Sequence, residues 1–178
     1  MKRRNFVMSV LAGGVAVPAL AAQREHEGMT GPLANATVSF GEWRTDFSPP
    51  LDRFVATPNP SNEHMVLPFE TQIKAGGAVN FVISGFHIVG VYGPGTEFED
   101  VNGSLTTPIP GAPMGFPPAV NDPVNRVYRG LSPWTLSPAP LLDRVESVNF
   151  EKPGRYLVVC LFVPHFIERM HGYVNVLP

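Results

Sequence analysis

One cysteine, Cys160, is all that the 178 residues contain, so no disulfide can form within the chain. Charge is also scarce: acidic and basic residues make up 16 %, and the formal net charge is −2. No basic excess exists to meet a phosphate backbone, which argues against a nucleic-acid partner. No apolar run reaches the roughly 20 residues that a membrane-spanning helix requires. Long amphipathic helical periodicity is missing as well. What the chain has in quantity is proline (20) and glycine (17), a mixture suited to short strands joined by ordered turns. Apolar content of 44 % supplies a core for one domain and excludes a disordered chain.

The first 21 residues read as an export signal. Lys2, Arg3 and Arg4 form a basic start, Phe6 to Pro18 carries no charge, and Ala19-Leu20-Ala21 offers an A-x-A cleavage site. Arg3-Arg4-Asn5-Phe6-Val7 also resembles a twin-arginine signal. Cleavage after Ala21 would remove three positive charges and leave a mature chain of net charge −5, periplasmic and without stable membrane insertion. In an oxidising compartment a lone thiol is a liability unless something occupies it.

Residues 22–35 read as a flexible leader and 36–178 as one all-β sandwich domain. Alternation and β-branched content predict strands over 36–40, 69–74, 78–92, 145–150, 156–162 and 172–177. Gly85, inside the longest of these, predicts a bend just before His87. Residues 93–140 lack periodicity and hold ten of the 20 prolines, so they read as a long inserted region ordered by its apolar residues. A short helix is compatible with 165–171, and the charged run Arg126–Arg129 reads as a helix-like surface segment.

Chemistry concentrates in one segment. Cys160, His165 and Met170 lie within eleven residues, on a loop between two strands, and His87 ends a buried apolar stretch upstream. Two imidazoles, a thiolate and a weak axial thioether are the donor set of a mononuclear type 1 copper site. Soft sulfur donors favour Cu(I), while imidazole also accepts Cu(II). Of the three histidines outside this set, His26 falls in the leader, His171 reads as solvated or supporting, and His64 as a loop residue.

The chain resembles the cupredoxin family. The resemblance rests on Phe150-x-x-Pro153-Gly154-x-Tyr156 before the cysteine, on Cys160-x4-His165-x4-Met170, and on Met170-x-Gly172-x-Val174 after it. The ligand-loop spacing is most like that of rusticyanin, and plastocyanin and azurin are also similar. The resemblance implies a Greek-key β-sandwich holding one copper per chain. It implies a one-electron carrier rather than an enzyme, with redox partners such as a c-type cytochrome or a membrane or periplasmic oxidoreductase. A copper-binding protein for delivery or storage is the alternative. Two departures stand out. Many cupredoxins carry a mutually bonded polar pair directly after the first histidine and after the cysteine; here the positions are Ile88 and Leu161. And 73 positions separate His87 from Cys160. A multicopper enzyme would need H-x-H pairs, of which there are none, and a binuclear centre would need a second cysteine.

Overall fold

A computed structural model describes residues 33–41, 64–134 and 140–178. The export signal, most of the leader, and residues 42–63 and 135–139 lie outside the described residues. Among the described residues, eleven strands and one short α-helix occur in the order β1 (Asn35–Phe40), β2 (Val66–Leu67), β3 (Glu70–Lys74), β4 (Gly77–Ile83), β5 (Val89–Tyr92), β6 (Thr106–Thr107), β7 (Ala119–Val120), β8 (Arg126–Arg129), β9 (Arg144–Phe150), β10 (Gly154–Cys160), α1 (Val163–Ile167) and β11 (His171–Leu177), with a 3-10 turn at Phe98–Asp100.

The strands divide between two sheets, one ordered β2-β1-β4-β9 and the other β3-β11-β10-β5-β8, with β6 and β7 as a separate two-stranded ribbon. Pairing is mixed: β1 runs parallel to β4, and β3 parallel to β11, while the remaining ladders are antiparallel. The inward residues follow the period-two rule. Val79, Phe81 and Ile83 of β4 alternate with half-buried neighbours, and Val148 and Phe150 of β9 alternate with exposed ones. They close on Ile73, Leu157, Val174 and Val176 of the other sheet in one apolar cluster. Removing a side chain such as Phe81, which is fully buried, should cost about 3–5 kcal/mol.

The predicted strand over 78–92 is two strands in different sheets. β4 ends at Ile83 and β5 begins at Val89. Between them Gly85 takes φ +101°, a left-handed conformation open to glycine at little cost, and the chain crosses from one sheet to the other. His87 sits on that crossing.

The 93–140 region is more structured than its lack of periodicity predicts. It contributes β6, β7 and β8, and Arg126–Arg129 is an edge strand on β5, not a helix. Every residue of β5 and the last five of β10 are buried, so both faces of these central strands are covered. The inserted residues Phe98, Val101, Ile109, Ala119 and Val120 are buried in the same apolar cluster. Asp122 pins this region internally, its carboxylate accepting the N–H groups of Asn102 at 2.8 Å and Val124 at 3.0 Å. At the other end of the domain, Asn35, expected in the leader, opens β1. Among the described residues no helix is long and apolar enough to cross a membrane.

Candidate metal centre

The two segments that meet at the site are fixed by backbone before any side chain is considered. β10 and β5 pair antiparallel, with Cys160 opposite Val89, and the Leu161 N–H donates to the Ile88 carbonyl at 2.8 Å. This places the cysteine beside the crossing that carries His87. After Cys160 the chain turns into α1, which Pro164 helps to start because its missing N–H is not needed in a first turn. The helix lasts five residues. It stops where Arg169 adopts φ +62°, its N–H donating to the Phe166 carbonyl at 2.9 Å.

The stop delivers Met170. Its N–H donates to the His165 carbonyl at 3.0 Å, and its carbonyl accepts the Cys160 N–H at 3.0 Å. The backbone of Met170 thus ties together the residues that bear the thiol and the second imidazole. Its side chain is buried.

Three of the four expected ligands converge. Cys160 Sγ lies 3.6 Å from His87 Nδ1 and 3.6 Å from His165 Nδ1, and the two Nδ1 atoms are 2.9 Å apart. All three residues are buried. A first-row ion bonded at about 2.0–2.3 Å to nitrogen and sulfur spans donor edges of roughly 3–4 Å. The triangle therefore fits such an ion without rearrangement. The donor chemistry selects it further: one thiolate and two imidazoles, with a thioether on the same loop, suit copper.

The electrostatics agree. Burial lowers the His87 pKa to about 2, with His165, His64 and Arg144 pushing the same way and the Ser84 carbonyl opposing. Burial lowers His165 to about 4, aided by His64 and opposed by Glu168. Both imidazoles are therefore neutral and ready to donate. Burial pushes the Cys160 thiol up to about 12, although the Ile88 and Phe162 N–H groups point at its sulfur and Arg144 opposes the rise. A thiol so buried and so weakly acidic is a poor nucleophile, but metal coordination displaces its proton outright. Catalysis by a free Cys160 is thereby disfavoured.

The surroundings are apolar and largely aromatic. Phe162 stands edge-on to His165 with centroids 4.8 Å apart, and Phe86 lies 4.9 Å from Phe162. Phe116, from the inserted region, stacks on Phe162 at 5.6 Å and packs on Phe86 at 4.8 Å. The insertion also bonds the ligand loop through its backbone: the Val120 N–H donates to the Leu161 carbonyl at 2.7 Å, and the Val163 N–H to the Pro118 carbonyl at 3.1 Å. Ile88 and Leu161 are both buried, and a Cβ on Gly90 would come within 2.7 Å of the Leu161 side chain. A glycine on β5 thus makes room for the Leu161 side chain.

His64 lies outside every strand and helix, the loop position expected of it, but its contact with the site was not foreseen. Its ring stacks on His165 with centroids 3.6 Å apart and planes 24° apart, and its Nδ1 pairs with Glu168. The signal was thin, because the 104 positions that separate His64 from Glu168 offer no spacing rule. His171 is half-buried against Phe69, Phe98 and Tyr173, with Nδ1 2.6 Å from the Arg169 carbonyl, a supporting position as expected.

No protein-family model and no curated protein matches the chain. Similar solved structures include the dithionite-reduced auracyanin of Roseiflexus castenholzii, 15 % identical with a TM-score of 0.49, over 83 % of this chain and all (100 %) of that one. A pseudoazurin of Hyphomicrobium denitrificans is 17 % identical with a TM-score of 0.38, over 80 % of this chain and 74 % of that one. A purple cupredoxin of Nitrosopumilus maritimus is 12 % identical with a TM-score of 0.35, over 79 % and 98 %. At such low identity these are likenesses, and the functional reading stands on the geometry of the site.

Proposed function

We propose that this chain is a cupredoxin. More particularly, it is an exported blue-copper electron carrier that holds one copper through His87, Cys160, His165 and Met170. The observation that carries the proposal is the buried triangle of His87 Nδ1, Cys160 Sγ and His165 Nδ1, with edges of 3.6, 3.6 and 2.9 Å. Bound copper supplies a one-electron couple, Cu(I)/Cu(II).

The protein's part is to hold the donors still and keep water out. Burial keeps both imidazoles unprotonated, and the Ile88 and Phe162 N–H groups take up negative charge at the sulfur. The two sheets and the insertion clamp the donors from three directions, so little rearrangement accompanies a change of charge. The Phe86, Phe116 and Phe162 rings lower the local dielectric, which disfavours the more highly charged oxidised state. Redox proteins met after export, such as a c-type cytochrome or a membrane or periplasmic oxidoreductase, are the expected partners.

The test is a copper titration of the mature protein followed by ascorbate. One equivalent should produce an intense thiolate-to-Cu(II) absorption that bleaches on reduction, and Cys160→Ser should abolish it, because serine oxygen is a hard donor whose alkoxide is far more basic than a thiolate. A colourless complex in the unaltered protein would instead favour copper delivery or storage.

A further inference from the structure

Arg144 and Glu146, at the start of β9, form an ion pair in which both side chains are nearly inaccessible, 6 % and 3 % exposed. Burying two charges is costly unless their hydrogen-bonding capacity is filled. Here it is filled with unusual completeness. The Arg144 Nε donates to Glu146 Oε1 at 2.7 Å. Its Nη1 donates to the Leu141 carbonyl at 3.3 Å, and its Nη2 to the carbonyls of Leu131 at 3.1 Å and His87 at 2.7 Å. Glu146 Oε2 accepts the Tyr128 hydroxyl at 2.8 Å and the Leu131 N–H at 3.4 Å. Even the neighbouring glycine is committed to this arrangement, since a Cβ on Gly130 would fall 2.3 Å from Glu146 Oε2.

The shortest of the guanidinium's carbonyl contacts is the one to His87. The peptide that begins with that carbonyl ends in the Ile88 N–H, and this N–H points at the Cys160 sulfur. One peptide unit therefore has a guanidinium on its oxygen and the thiol sulfur on its nitrogen. Hydrogen bonds in such a chain polarise one another, and withdrawal of electron density at the oxygen makes the N–H a stronger donor. The partner charge on Glu146 neutralises much of the direct field of Arg144, but Glu146 is bonded through Nε, whereas Nη2 bonds the His87 carbonyl and polarises the peptide.

We propose that Arg144 is a positioning residue for the metal centre: through the His87–Ile88 peptide it fixes the carbonyl of one ligand residue and strengthens the hydrogen bond to the sulfur of another. The consequence for the sulfur rests on the blue-copper reading. A stronger N–H donor draws charge from the thiolate and favours Cu(I), so Arg144 raises the reduction potential. The polar pair missing at Ile88 and Leu161 has here a substitute placed on the far side of the same peptide.

Two variants test this. Arg144→Met/Glu146→Leu removes both charges and leaves neither buried alone. Arg144→Lys keeps a charge but replaces the fork with a single point donor. In the metal-free protein the amide proton of Ile88, read by nitrogen-edited NMR, should move upfield in the double variant and by a smaller amount in Arg144→Lys. In the copper-loaded protein the potential should fall in the same order. A folded double variant with the Ile88 amide and the potential both unmoved would overturn the proposal. Should the double variant not fold, an Ile88 amide unchanged in Arg144→Lys would overturn it equally. The metal-free measurement decides the role of Arg144 even if unaltered protein proves colourless with copper, so the two readings fail separately.

Discussion

The His64 imidazole lies face to face with that of His165, centroids 3.6 Å apart, so a proposed ligand is roofed by a histidine from a different part of the chain. An aromatic pair of this kind is worth about 1 kcal/mol beyond its buried area. His64→Ala should leave the colour intact and speed the loss of copper to a strong chelator, roughly five-fold if the whole stack is lost in the release step. Stopped-flow absorbance with excess chelator measures this. An unchanged rate would mean that release does not pass the His64 side.

Gly41 makes a sharper demand. It has φ +88°, and a Cβ there would lie 2.6 Å from His87 Nε2 and 2.4 Å from the Ser84 carbonyl oxygen. Gly41→Ala should therefore destabilise the protein by about 1–3 kcal/mol through strain and displacement of the His87 ring. Urea unfolding of the metal-free protein gives the stability, and the copper affinity should fall with it. A variant as stable as the original and with unchanged affinity would show that the ring does not need this space.

The metal-free protein should have a stability optimum set by its own ligands. In the unfolded chain the imidazoles of His87 and His165 protonate as pH falls through about 6.5, whereas in the native state they resist until about 2 and about 4. The unfolded state then binds more protons, so stability falls as pH drops below about 6.5. At the alkaline end the sign reverses. The native Cys160 thiol keeps its proton up to about 12 while the unfolded one loses it near 9, and stability falls again above that. Urea midpoints between pH 5 and 8 isolate the histidine arm from most carboxylates. A flat profile there would contradict the buried, neutral imidazoles.

The apolar pair after the ligands should influence the potential. Ile88→Asn/Leu161→Thr places polar groups where both native side chains are buried, and a more polar shell stabilises the oxidised state. The potential should fall, measured by voltammetry on protein that keeps its colour. A potential that stays level or rises would assign the tuning to other groups.

Much of this was legible from the sequence because it is local. Cys160, His165 and Met170 lie on one loop, their spacing is visible by inspection, and the period-two pattern of β4 and β9 marks their inward faces. Gly85 announced the bend before His87. What was not legible is non-local. The sheet change between Ile83 and Val89 was hidden because β5, buried along its whole length, shows no alternation to mark where a new strand begins. The β8 segment Arg126-Val127-Tyr128-Arg129 has polar residues at both ends and one exposed valine, a pattern too short to separate strand from helix. His64 and Arg144 are single residues whose roles depend on which loops come to rest beside them, and no spacing rule reports that.

The backbone bonds from Val120 to Leu161 and from Val163 to Pro118 bear on what could be transplanted. In a smaller sandwich the stretch from cysteine to methionine looks like a cassette that can be cut out and exchanged. Here it is stitched on one flank to the crossing at Ile88 and on the other to residues 118–120, and the Phe162 ring packs against both Phe86 and Phe116. A graft of residues 160–170 alone would arrive with two peptide groups unpaired and one aromatic face bare. The exchangeable module in this protein is the loop together with its splint, and a designer who wants the spectroscopy must carry both.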